Sequence, residues 1–132
     1  MKMIRFHLDA ASGVAPYLQI VQQVRHALRL GLLREGDQLP TVREVVSTVT
    51  INPNTVHKAY RELEYAGLVT PRPGLGTFVT GSLAGDVPAA SYVRLRAGLV
   101  RWIEDAQQAG LDDESVEALV HGTLREHLRV TS

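Results

Sequence analysis

Two helix-start signals stand eleven residues apart in the middle of this chain, and a glycine-punctuated hairpin pattern follows them. Few folds accommodate that order. Thr41-Val42-Arg43-Glu44 fits a capping box, in which the Thr41 hydroxyl accepts from the Glu44 amide and the Glu44 carboxylate reaches back to the cap. Ile51-Asn52-Pro53-Asn54 is the second start: Asn52 suits the N-cap and Pro53 the first helical position, where a missing N–H costs nothing. The first helix of the pair should run to about Val49. Its run Val45-Val46-Ser47-Thr48-Val49 is β-branched and would locally suit a strand, but the cap and the helix after it favour a helix. The second helix places Val56, Ala59, Tyr60 and Leu63 on one face, leaves Thr55, His57, Lys58, Arg61 and Glu62 elsewhere, and stops at Ala66-Gly67. Leu68-Val69-Thr70 and Thr77-Phe78-Val79-Thr80 read as short strands around a loop from Pro71 to Gly76.

Upstream, residues 4–15 show no helix signal. Pro16 opens an amphipathic helix in which Tyr17, Ile20, Val21, Val24 and Leu28 recur at helical spacing, and it stops near Gly31. Leu33 to Asp37 forms a turn. The resulting order of three helices and a hairpin is that of a winged helix-turn-helix. Residues 81–90, rich in Gly, Pro and small side chains, read as a linker. Two helical patterns follow it. Val93, Leu99, Val100, Trp102, Ile103 and Ala106 form an apolar stripe up to Gly110; Asp112 then caps a helix carrying Val116, Leu119, Val120, Leu124 and Leu128. A hairpin of about forty residues is too small to fold unaided, so its apolar faces require the front domain or a second copy of the chain. The expected fold is therefore mostly α with a small β-hairpin: a winged helix-turn-helix over residues 1–80, a linker over 81–90 and a two-helix dimerisation hairpin over 91–132.

Composition narrows the function classes. The chain has no cysteine, which removes disulfides and thiolate chemistry and fits a cytoplasmic protein. No apolar run is long enough to span a membrane, and the N-terminus lacks the features of a signal peptide. Formal net charge is zero, but residues 1–80 carry nine Lys/Arg against six Asp/Glu, whereas 81–132 carry five against eight. A mildly basic front and an acidic back suit a DNA-facing head joined to something else. No phosphate-binding glycine loop and no paired carboxylates beside a base are present, so neither an enzyme nor a cofactor is expected. His121 and His127, six apart, do not fall on adjacent turns of one helix face, and no metal site is expected.

The segments Leu39-Pro40-Thr41-Val42-Arg43-Glu44, Asn52 through Leu63, Gly67-Leu68-Val69 and Gly74-Leu75-Gly76-Thr77-Phe78-Val79, with Pro16 to Ile20 upstream, closely resemble the GntR family of bacterial regulators. The short helical tail resembles its YtrA-type subfamily. The likeness covers roughly residues 4–80. Thr41 stands where the family usually has Ser, which keeps the hydroxyl cap, and Val45-Val46 where it usually has Leu-Ala. The resemblance implies a homodimer on double-stranded DNA, a pseudo-palindromic operator, repression, and a role near transporter genes; a small-molecule effector is unknown. It also implies that the second helix of the motif enters the major groove by its N-terminal end.

On that footing the DNA-binding candidates are Thr41, Arg43, Asn52, Asn54, Thr55, His57, Lys58, Arg61, Gly74 and Gly76. Arg43 is the candidate for bidentate guanine readout. Asn54 and Thr55 are short polar residues at a helix start whose amides can meet phosphate. The dimer candidates are Val93, Leu99, Val100, Trp102, Ile103, Val116, Leu119, Val120 and Leu124. Taken singly, Arg43, Lys58 and Arg61 also fit an ordinary solvated surface, and Gly74 and Gly76 also fit hairpin geometry alone. The competing reading is a protein-interaction adaptor that reuses a winged-helix scaffold without specific DNA binding.

Overall fold

In the computed structural model, α1 (Pro16–Arg29), α2 (Val42–Thr48) and α3 (Pro53–Tyr65) form where the start signals place them. The structure describes residues 4–129; residues 1–3 and 130–132, at the outer ends of the expected head and tail, lie outside the described residues. Helix α1 buries Ile20, Val24, Ala27 and Leu28, and α3 packs across it with Val56, Ala59, Tyr60 and Leu63. Val45 of α2 joins that cluster with Leu33, Leu39, Leu68, Val69 and Val79. Each such aliphatic side chain taken fully out of water contributes about 1.5–3 kcal/mol. Val45 to Thr48 of the β-branched run are helical, as the cap required, and Val49 ends the helix in an extended conformation.

Residues 4–15 are more ordered than their sequence suggested. Phe6 is buried, and Ile4 and Leu8 pack against the same core, an alternation that marks an extended segment. Two glutamines one turn apart on α1 hold it there. The Gln23 side chain accepts from the His7 amide at 3.0 Å and donates to the His7 carbonyl at 2.6 Å. Gln19 does the same for Asp9, at 2.8 and 3.0 Å, and its amide nitrogen also lies within hydrogen-bond distance of Ser12 Oγ and the Val14 carbonyl. Gln19 is the buried polar residue of this core, and these bonds explain why it is tolerated there.

The hairpin is longer than expected. β1 (Val69–Arg72) and β2 (Gly76–Val79) pair antiparallel, with Val69 opposite Val79 and Arg72 opposite Gly76, so the connecting loop is only Pro73-Gly74-Leu75. Residues 37–39 add a short third rung on the other side of β2. There the Leu39 amide donates to the Thr77 carbonyl at 2.9 Å and the Val79 amide to the Asp37 carbonyl at 2.8 Å. β1 is thus an edge strand, and Pro71, opposite Thr77, would have pointed its N–H away from the ladder. Proline is tolerated in a strand at such a position.

The described chain divides into two compact units, Met1–Asp86 and Val87–Ser132. The second holds α4 (Ala89–Gln108) and α5 (Asp113–Arg129), which pack on each other. α4 begins two residues inside the segment read as linker. Asp112 caps α5 by accepting from the Ser115 amide at 2.8 Å, and hydrogen bonding from the Ser115 side chain first and its amide second holds the carboxyl below the usual aspartate value. The apolar positions of α4 spread over about half of its circumference. At about 100° per residue, Val93 and Trp102 lie half a turn apart around the axis. Val93 and Val100 share one side, Ala106, Leu99 and the unanticipated Leu95 gather around Trp102, and Ile103 lies between the two groups. Among described residues of this unit Ala106 alone is buried, while Leu95, Leu99 and Leu124 are each about half exposed.

Candidate nucleic-acid interface

The α2–α3 pair is set by caps and one buried hydrogen bond. The capping box is complete: Thr41 Oγ1 accepts from the Glu44 amide at 3.1 Å, and Glu44 Oε1 accepts from the Thr41 amide at 3.0 Å. Asn52 Oδ1 accepts from the Asn54 amide at 2.8 Å, with Pro53 at the first helical position. Tyr60 of α3 donates from its hydroxyl to the Pro40 carbonyl at 2.6 Å. That bond ties the middle of α3 to the residue before the α2 cap, and so sets how the helices cross. Burial, with the nearby Glu44 carboxylate second, raises the Tyr60 phenol far above its ordinary value and keeps its proton in place for this bond. Tyr60→Phe leaves the buried carbonyl unpaired and is expected to cost about 1–3 kcal/mol, read as a lowered Tm or denaturation midpoint.

The outward face of α3 follows from its inward one. Val56, Ala59, Tyr60 and Leu63 are buried, and at helical spacing Asn54, His57, Lys58 and Arg61 fall on the opposite side; all four are exposed. Thr55 sits at the margin, half-buried, with its amide bonded to the Asn52 carbonyl at 2.9 Å. Lys58 is less free than its exposure suggests, because its Nζ lies 4.0 Å from the centre of the Tyr17 ring on α1. Tyr65, 89% exposed, continues this outer face one turn beyond Arg61, and the sequence reading did not single it out.

A groove of about 340 Å³ runs between α2, α3 and the hairpin. It brings together Thr41, His57, Arg61 and Gly76, with Tyr60 and Glu64 along its wall. A second, more open hollow joins Thr41 to the tip residues Gly74 and Gly76 and to Arg72. Arg43, exposed on the first turn of α2, and Asn52, Asn54, Thr55 and Lys58 line neither.

The wing is fastened by a residue that sequence reasoning missed. Gln38 Nε2 donates to the Leu75 carbonyl at 3.0 Å. A Cβ on Gly76, where φ is +129°, would stand 2.5 Å from that same nitrogen. Gly76 is therefore needed for the hairpin whatever else it touches, and Gly74, at φ +76°, supplies the turn. Arg72 was also passed over, although it is the one Asp, Glu, Lys or Arg in residues 65–85. Among described residues no group of three His, Cys, Asp or Glu could hold a metal ion, and no helix is long and apolar enough to cross a membrane.

Comparison with known proteins agrees with this geometry. The family described as bacterial regulatory proteins, gntR family, matches residues 16–79. The HTH-type transcriptional repressor YtrA of Bacillus subtilis is 34% identical over 109 residues, covering 83% of this chain and 84% of that protein. Among solved structures, a transcriptional antiterminator from Listeria monocytogenes is similar with a TM-score of 0.57 at 30% identity, over 91% of this chain and 90% of that one. YtrA from Sulfolobus acidocaldarius, a GntR-family transcription factor, gives a TM-score of 0.52 at 28% identity, over 75% of this chain and 97% of that one.

Proposed function

The chain belongs to the GntR family of bacterial regulatory proteins and is a DNA-binding transcription regulator; from that premise we propose that two copies, joined through α4 and α5, repress from a pseudo-palindromic operator in the cytoplasm. The observation that carries this reading is the outer face of α3. Asn54, His57, Lys58 and Arg61 project opposite the core residues, and the helix start at Asn52-Pro53 is exposed, with the Asn54 and Thr55 amides taken up by Asn52. A helix presented in this way enters a major groove by its first turns.

Roles follow from reach and chemistry. Arg43 reads a guanine edge through its planar fork. Asn54 and Thr55 contact phosphate or base edges near the helix start; the Asn52 side-chain oxygen is committed to its cap, leaving its Nδ2 to donate. His57 and Arg61 face the groove shared with the wing. Thr41 offers its hydroxyl proton while its oxygen stays in the capping box. Lys58 contributes charge from its seat over Tyr17. Gly74 and Gly76 allow the wing backbone close approach to DNA.

For the tail, support comes from exposure. Leu99, Trp102, Ile103, Val116, Leu119, Val120 and Leu124 bring more apolar surface than a hairpin of two helices can cover, and Val93 and Val100 add to it on α4. A twofold pairing places the recognition helices ~34–36 Å apart, one DNA turn. The B. subtilis relative is named a repressor, and we carry that sign to this chain. A gel shift with the chain's own upstream DNA against scrambled DNA of equal length separates this reading from the adaptor. Preferential retardation of the upstream fragment is expected; equal affinity for both would favour the adaptor.

A further inference from the structure

Arg72 is the sole Asp, Glu, Lys or Arg of the 21-residue stretch 65–85, and it is exposed on the edge strand of the wing. Its partner in register, Gly76, has no side chain. The place a Cβ would take there is filled by the Gln38 amide. With no side chain on its register partner to lie against, Arg72 reaches its diagonal neighbour, and the guanidinium carbon sits 5.0 Å from the centre of the Phe78 ring. Stacking on an aromatic face restricts the planar cation without using its N–H donors, which stay available. The same residue borders the open hollow that runs from the wing tip to Thr41.

We propose that Arg72 is a DNA phosphate contact of the wing, and that Phe78 is its positioning residue, holding the guanidinium ready before DNA arrives. Gly76 serves this arrangement by placing no side chain of its own opposite Arg72 and leaving that space to the Gln38 amide. The inference rests on DNA binding by the winged helix, and wild-type binding in the same titration tests that premise separately.

The test is fluorescence anisotropy of the full chain and its variants on the upstream DNA and on a random duplex, across a salt series. Arg72→Ala should weaken binding about five- to tenfold at 0.1 M salt, equally on both duplexes, and reduce the slope of log K against log salt by about 1.8, roughly 0.9 for each of the two copies. Phe78→Leu keeps the charge. It should cost about two- to fivefold, leave the slope unchanged, and cost nothing further in an Arg72→Ala background. An unchanged slope for R72A, or a loss confined to the upstream DNA, would overturn the phosphate assignment. The same Phe78→Leu loss with or without Arg72 would overturn the positioning role. Thermal melts of each variant show whether the wing still folds.

Discussion

Replacing Leu99 and Trp102 together with glutamate is expected to turn the protein into a monomer in sedimentation and to weaken operator binding about 10²–10⁴-fold. The magnitude comes from linkage. Two heads on one dimer make the second half-site an intramolecular encounter, and its loss forfeits an effective concentration rather than a contact. Both side chains lie on the same side of α4 and retain substantial exposure in the single chain, Leu99 at 53% and Trp102 at 37%. Burying them against a second copy recovers apolar surface that the hairpin leaves wet; two carboxylates at that contact would have to be desolvated without partners. The head should survive, because its core of Ile20, Val24, Leu28, Val56 and Leu63 lies in the unit Met1–Asp86. A chain ending at Asp86 should therefore behave alike: folded, monomeric and weak on the operator. A double variant that still sediments as a dimer would move the interface elsewhere.

The second large effect is at Arg43. Arg43→Ala should cost roughly 1–3 kcal/mol on the upstream site and clearly less on random DNA. The residue is exposed on the first turn of α2, one helix before the recognition helix, and the complete Thr41–Glu44 capping box fixes the backbone from which it projects. Pre-setting the backbone matters because a bidentate contact to guanine depends on the angle of the fork as well as on charge. For the same reason Arg43→Lys should restore little of the loss on the upstream site. Equal losses on upstream and random DNA would make Arg43 a phosphate contact like Arg72, and would shift specificity to the Asn54–Arg61 face.

What could be read from the sequence was local. Thr41 and Glu44 are three residues apart, Asn52 and Asn54 two, and the caps they form appear in the structure with the expected partners. The core faces of α1 and α3 were also legible, since periodicity over four turns leaves one arrangement of Ile20, Val24, Leu28, Val56 and Leu63. What escaped depends on distant partners. Gln38 fastens the wing across thirty-seven residues, and nothing near Gln38 signals it. The extended segment around Phe6 is too short to show its alternation convincingly, and its main chain pairs with glutamine side chains rather than with a strand. Pro71 looked like loop because proline usually is; an edge strand with its N–H side outward is the exception. Among the site residues, exposure and helical phase place Asn54, His57, Lys58 and Arg61 on one face, while Arg72 required the register of the hairpin to be noticed.

One small head is expected to read DNA usefully only when the tail presents it twice. A hydroxyl-radical footprint of the wild-type chain on its own upstream DNA tests this most directly. Two protected patches are expected, related by an approximate dyad, about 10–10.5 base pairs apart from centre to centre or a multiple of that, both lost together in the Leu99→Glu, Trp102→Glu double variant. A single protected patch that persists unchanged in the double variant would contradict that expectation.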